Sequence, residues 1–184
     1  MRGKRVAWET CQTFSGSWGY ARDEKNWKTS SQILELLIET VGKGGNLILN
    51  VGPTARGEFD FRARERLDSI AKWMHFNSRS IHNCTEAPQD LKAPANTLLT
   101  YNASTRRLYI HILKYPMGWL MLQFRAKVDR DRFLHDGSEL KVRGVPTLQA
   151  EYGEDAVNDG AIILPIEKPP VEIPVIEVFM KEGV

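Results

Sequence analysis

Two kinds of residue near the start of the chain could do chemistry: a carboxylate able to pass a proton, and aromatics able to hold a ligand. They meet in Trp8-Glu9-Thr10-Cys11-Gln12-Thr13-Phe14-Ser15-Gly16-Ser17-Trp18-Gly19-Tyr20. A free glutamate titrates at about 4.3, so a general acid working near neutrality needs its pKa raised. An indole that limits water, here Trp8, and a second nearby carboxylate would both push Glu9 that way. Taken alone, Glu9 reads as a surface acid, as most glutamates are. Trp18 and Tyr20 read equally as stacking platforms and as loop packing, and Trp27 as packing. Asn50 stands late in the apolar run Asn46-Leu47-Ile48-Leu49-Asn50-Val51. Its amide could orient a ligand or loops, or shape the Asn50-Val51-Gly52-Pro53 turn.

The other reactive side chains offer less. Cys11 and Cys84 are the only cysteines, and without CxxC or Cys/His spacing they are expected as free thiols rather than metal ligands. His75, His82, His111 and His135 share no spacing and read as incidental. No motif for a metal or other cofactor appears. The 184 residues carry a net charge of +2 with acids and bases interleaved, which gives no field for nucleic acid or anionic lipid. Arg62, Arg64 and Arg66 lie among Glu58, Asp60, Glu65 and Asp68, the pattern of a solvated, salt-bridged helix face. The start MRGKR leads into VAWETCQT, not into a signal-peptide core, and no apolar run approaches the roughly 20 residues that span a bilayer. Neither nucleic acid nor membrane is expected as a partner, and the compartment stays open. Asn83-Cys84-Thr85 and Asn102-Ala103-Ser104 match the glycosylation sequon, which matters only in a eukaryotic secretory pathway.

The elements that would position these residues fall into two halves. Arg5 to Thr10 reads as a short strand. After a polar loop, Thr29 and Gln32 have capping-box spacing, and Leu34, Leu37, Ile38 and Val41 recur at helical intervals. Lys43 and Gly44-Gly45 suit the helix end. The run from Asn46 to Val51 reads as a strand buried on both faces. Asp60 could cap a second helix turning Leu67, Ile70, Ala71, Trp73 and Met74 inward. Strand, helix, strand, helix is the signature of parallel βα units. After Pro88 the helical period disappears. Seven short strands are expected at 98–101, 107–114, 119–124, 132–134, 140–143, 161–164 and 175–180, which suggests an antiparallel sandwich. The boundary is expected between Ile81 and Ala95. Two βα units cannot close a barrel, so the first half is expected to lack strands that an N-terminal portion or a partner supplies.

Several blocks in fixed order resemble glycoside hydrolase family 29, the α-L-fucosidases. They are WETCQTFSGSWGY, then Asn26-Trp27-Lys28, then Gly44-Gly45-Asn46-Leu47-Ile48-Leu49-Asn50-Val51-Gly52-Pro53. Ala71-Lys72-Trp73 stands where the family has Gly-Lys-Trp. The second half agrees more loosely, through Leu108-Tyr109-Ile110-His111 and Ile176-Glu177-Val178. Asn77-Ser78-Arg79-Ser80-Ile81-His82 departs from the family's Asn-Gly-Glu-Ala-Ile-Tyr. Loss of that glycine suggests a rearranged corner after the second helix.

The resemblance implies an α/β plus all-β chain. Residues 1–82 would be the C-terminal portion of a (β/α)8-type barrel, and residues 83–184 an antiparallel β-sandwich. It also implies retaining hydrolysis of terminal α-L-fucosyl residues, which needs two carboxyl groups about 5–5.5 Å apart. Glu9 matches the family's Trp-Glu motif and is expected as the general acid/base, at the C-terminal end of a barrel strand. Trp8, Trp18, Tyr20 and Asn50 are expected to bind substrate. The nucleophilic aspartate and the substrate-binding histidines are expected upstream of Met1, so the chain alone is expected to be inactive. A fucosylated glycan is the expected partner, with the absent barrel portion or further subunits beside it. The alternative is a non-catalytic carbohydrate-binding or assembly module.

Overall fold

The computed structural model describes residues 6–144 and 160–182. Its first strand, β1, spans Glu9–Thr13, and α1 follows at Ser30–Gly42. The capping box forms as the spacing requires: the Gln32 amide donates to Thr29 Oγ1 at 3.2 Å, and the Thr29 amide donates to Gln32 Oε1 at 2.8 Å. Ile33, Leu34, Ile38 and Val41 are buried on one side of the helix. Strand β2, Asn46–Asn50, pairs parallel to β1, and α2 runs from Phe61 to Asn77 behind the Asp60 cap.

Two expectations are corrected here. β2 is not buried on both faces, since Ile48 is 45% exposed and β1–β2 stands as a two-stranded sheet among the described residues. On α2, Trp73 and Ala63 are buried and Leu67, Ile70 and Met74 are half-buried, but Ala71 is exposed. At about 100° per residue, Ala71 falls a quarter-turn or so around from Ile70, past the edge of the buried stripe.

All seven later strands form: β3 (Thr97–Asn102), β4 (Arg107–Ile112), β5 (Trp119–Leu122), β6 (Val128–Phe133), β7 (Lys141–Gly144), β8 (Gly160–Ile163) and β9 (Val175–Met180). They make an antiparallel sheet of order β3-β4-β9-β6 and a second of order β5-β8-β7. β6 begins four residues earlier than expected, its polar first half (Asp129, Arg130) hiding a strand whose register shifts at a bulge between Val128 and Arg130.

Leu108, Ile110, Ile112, Ile176 and Val178 face Leu120, Leu122 and Ile162 of the other sheet, and these form the sandwich core. The opposite face of the four-stranded sheet carries Tyr109, His111 and Val175, and onto it pack Leu34, Ile38 and Val41 of α1 and Trp73 of α2. The Trp73 indole donates to the Ile173 carbonyl at 2.8 Å, so this buried polar atom is satisfied. The corner after α2 needs no glycine. Ser78 sits at φ −56°, ψ −27°, and a one-turn 3₁₀ segment at Ser78–Ser80 carries the chain on, with the Asn77 amide donating to the Trp73 carbonyl.

Candidate active-site wall at the strand ends

The parallel register sets Glu9 opposite Asn46 and Thr13 opposite Asn50. Glu9 therefore opens β1 and does not close it, which corrects its expected place at the C-terminal end. The ladder with β2 decides this: Trp8 already accepts from the Asn46 amide at 3.0 Å, and β-branched Thr10 and Thr13 continue the strand beyond. Strands rise about 3.3 Å per residue, so Glu9 lies about 13 Å from Thr13. Its carboxylate is exposed and makes no hydrogen bond among the described residues. Trp8 is 39% exposed, and its Nε1 donates to the Lys43 carbonyl at 3.2 Å. The indole lies directly on Gly45, where a Cβ would collide with the ring. Trp8 thus covers the α1–β2 turn.

The other predicted site residues converge at the opposite end of the sheet. Asn50 closes β2, and its Nδ2 donates to the Trp18 carbonyl at 2.5 Å. Gly52 packs against the Gly19–Tyr20 peptide so closely that a Cβ would overlap it. The loops after β1 and β2 are thereby locked together around a small recess lined by Phe14, Ser17, Tyr20, Trp27 and Asn50. Trp18 is 59% and Tyr20 38% exposed, so their rings are offered to solvent on this side. Of the five expected residues, the structure gathers Trp18, Tyr20 and Asn50, and leaves Glu9 and Trp8 at the far end.

The loop is held by its own backbone and by α2. Gly16 N donates to Asn26 O at 3.0 Å, and Lys28 N to Phe14 O at 2.9 Å, closing its base. Lys28 Nζ donates to Thr13 O at 2.8 Å, and Trp27 Nε1 to Glu24 O at 3.1 Å. Arg62 reaches across from α2 to the carbonyls of Arg22 and Glu24, and Arg66 Nε donates to Lys28 O at 2.5 Å. These two arginines do not form the expected solvated face. Only Arg64 between them is exposed. The Asp60-x-Arg62 spacing at the helix start signals the cap and the local ion pair, but not these contacts with the loop.

Titratable groups elsewhere are structural. Cys11 and Cys84 are both free thiols, and burial pushes Cys84 up to about 11. His111 is fully buried, and burial pushes its imidazole down to about 3. The Thr100 hydroxyl donates to Ser80 O at 2.6 Å, so it accepts from His111 Nε2–H at 2.9 Å, leaving Nδ1 bare. Asn102 is buried with its Oδ1 accepting from Ser104 and Thr105, unlike the exposed Asn83. Among the described residues no three His, Cys, Asp or Glu side chains gather as metal ligands, and no helix is long and apolar enough to cross a membrane.

Comparison with known proteins now bears on this strand-end cluster. The family profile described as Alpha-L-fucosidase matches residues 2–79, which hold both strands, both helices and both loops. An alpha-L-fucosidase isoenzyme 1 from Paenibacillus thiaminolyticus superposes with a TM-score of 0.85 at 32% identity, over 98% of this chain. Over residues 2–79 the chain matches the α-L-fucosidase family, and over nearly its whole length it is similar to part of an α-L-fucosidase. Within that family, the plasma alpha-L-fucosidase of Homo sapiens is 32% identical over 113 residues, 59% of this chain. A GH29 α-L-fucosidase from Bacteroides thetaiotaomicron, trapped as a covalent intermediate with 2-fluoro-fucosyl fluoride, shares the fold at 21% identity and a TM-score of 0.79. The chain spans 24% of the human relative and 41% of the Paenibacillus one.

Proposed function

We propose that this chain contributes one wall of the fucosyl site of a retaining α-L-fucosidase, which hydrolyses terminal α-L-fucosyl residues of glycoconjugates or oligosaccharides. The observation that carries this reading is the convergence of Trp18, Tyr20 and Asn50 at the C-terminal ends of two adjacent parallel strands. That is the face on which (β/α)8 enzymes keep their chemistry. Exposed indole and phenol rings suit the C–H faces of a deoxysugar, and an amide beside them suits its hydroxyls. The covalent intermediate trapped in the Bacteroides relative supports a double-displacement route. The other barrel strands, with the nucleophile, come in this reading from a polypeptide segment that completes the β1–β2 sheet.

The resemblance assigns Glu9 the acid/base role, and the geometry supports that role least. The two carboxyl groups of a retaining pair must reach one anomeric carbon. Glu9 stands about 13 Å down the strand from the end that carries the aromatics. We place it at the entrance of β1, outside the chemistry.

The test is hydrolysis of an aryl α-L-fucoside by this chain, alone and mixed with a polypeptide carrying the remaining barrel strands. Activity is expected in the mixture, and Glu9→Gln should lower kcat/KM less than about tenfold there. A loss of 100-fold or more, in the range expected for removing a general acid, with rescue by azide, would return Glu9 to the acid/base role. Glycan binding with no hydrolysis in any combination would favour the non-catalytic module instead.

A further inference from the structure

Arg62 is the second residue of α2, and its side chain is 23% exposed despite its place on an outer helix. Its Nε donates to Asp60 Oδ1 at 2.7 Å and its Nη2 to Asp60 Oδ2 at 3.0 Å. This two-point grip fixes the plane of the guanidinium, which a single bond would leave free to rotate. The Asp60 carboxylate is itself anchored as the α2 cap, accepting from the Arg62 amide at 2.9 Å, and the Arg62 side chain holds it below the usual carboxylate range.

With its plane fixed, the guanidinium presents its other donors to the aromatic loop. Nη1 donates to Glu24 O at 2.8 Å and Nη2 to Arg22 O at 3.2 Å. Its flat face lies over the Trp27 ring, 4.7 Å from the centroid. The two carbonyls belong to the limb of the loop that descends from Trp18 and Tyr20. The Arg62 charge is close enough to the Tyr20 phenol to be felt electrostatically. Asn50 grips the same loop from the other side, through the Trp18 carbonyl.

We propose that Arg62, clamped by Asp60, is a positioning residue of the fucosyl site: it fixes the loop that presents Trp18 and Tyr20 and does not itself touch the sugar. Lysine cannot replace it, because an ammonium on a flexible stem offers neither the planar fork nor the stacking face. The inference rests on the function proposed above.

Two measurements on the whole chain test it, each with Arg62→Ala and Arg62→Lys. In the first, hydrogen exchange of the amides from Ser17 to Glu24 should speed up at least about tenfold, the equivalent of about 1.4 kcal/mol of local stability. The buried Trp73 indole and the β4 and β9 amides should stay as they were. In the second, L-fucose is titrated into the chain mixed with the polypeptide carrying the remaining barrel strands, while the Trp18 indole N–H signal is followed. Wild type should saturate, and both variants should need about tenfold more fucose, with lysine giving no rescue. If Arg62→Ala unfolds, Arg62→Lys alone carries the comparison. Wild type that saturates, with variants that match its midpoint, overturns the role of Arg62 and leaves the site standing. Wild type that never responds overturns the site and the positioning role with it.

Discussion

The two-stranded parallel sheet and the four-stranded antiparallel sheet are built to opposite rules. All six residues of β9 are buried, with Ile176 and Val178 in the sandwich core and Val175 against the helices. β1 and β2 have one half-covered face, through Thr10, Gln12, Leu47 and Leu49, and one open face where Cys11 lies opposite Ile48. Antiparallel sheets commonly leave one face wet, and parallel strands are ordinarily covered on both. Here the pattern is inverted. Stability is concentrated in the sheet that carries no candidate chemistry, and the candidate site hangs on the thinner sheet, rigidified by the Asn50 and Arg62 contacts.

The hardest blow to that contrast is a cavity in the doubly covered sheet. Ile176 is fully buried and lies between Ile110 and Phe133 in the ladder. Ile176→Ala should cost roughly 2–5 kcal/mol, the span measured for large-to-Ala changes in close-packed cores. Urea denaturation would show the midpoint falling at unchanged slope. A cost below 1 kcal/mol would mean that the sandwich is not the stabilising half.

Next in size is a pH effect inside the same sandwich. Asp131 points inward from β6, an edge strand, and neither carboxylate oxygen has a hydrogen-bond partner. Burial, then the neighbouring Glu139, raises it to about 7, while Arg125, Arg130, Lys181 and Asp129 line the cavity beside it without pairing to it. Below pH about 4 both folded and unfolded chains hold this proton and the group is without effect. Between about 4 and 7 only the folded chain holds it, so stability falls as pH rises. Above about 7 the penalty is constant, on the order of 4 kcal/mol. His111 acts with the opposite sign: the unfolded imidazole takes a proton below about 6.5 and the folded one not until about 3, so stability falls as pH falls. The two slopes oppose each other between about 4 and 6.5. Asp131→Asn should unmask the histidine slope, and the variant should gain on wild type by on the order of 3 kcal/mol between pH 4.5 and 8. Parallel profiles for the two proteins would show that Asp131 ionises normally.

A smaller effect belongs to the seam between the two regions. Thr29→Ala removes one half of the capping box that starts α1, the helix packed between both sheets. It should cost about 1 kcal/mol in thermal or urea unfolding.

The features legible in the sequence were those set by short-range rules. Thr29 and Gln32 gave the capping box, Asp60 the second cap, and the apolar run at 107–114 the strand that separates the cores. What escaped was set by a distant partner. β1 shifted to Glu9–Thr13 because β2 fixes its register, although Val6-Ala7-Trp8 looked the better strand material. Glu9 moved with it, from the presumed chemical end to the entrance. Arg62 looked like one charge among many, since no spacing rule shows that a guanidinium will meet carbonyls 38 and 40 residues away. Trp18, Tyr20 and Asn50 were found together because their motif blocks marked them, though only the fold shows Asn50 holding Trp18 by its backbone.

The smallest stability change should come from the open sheet face, and it separates the two regions most sharply. Ile48 is 45% exposed at the centre of β2, and its neighbour across the pair, Cys11, is exposed as well. A side chain half in water loses little on becoming polar, so Ile48→Lys should alter the unfolding free energy of this chain by about 0.5 kcal/mol or less. If that face is where the remaining barrel strands dock, the same charge would be buried without a partner in the assembled enzyme, at a cost of several kcal/mol. The variant should then match wild type in urea denaturation and yet fail to give hydrolysis of an aryl α-L-fucoside when mixed with the rest of the barrel. Full activity on mixing would show that the open face of β1–β2 stays open, and that the barrel proposed above is completed along the strand edges alone.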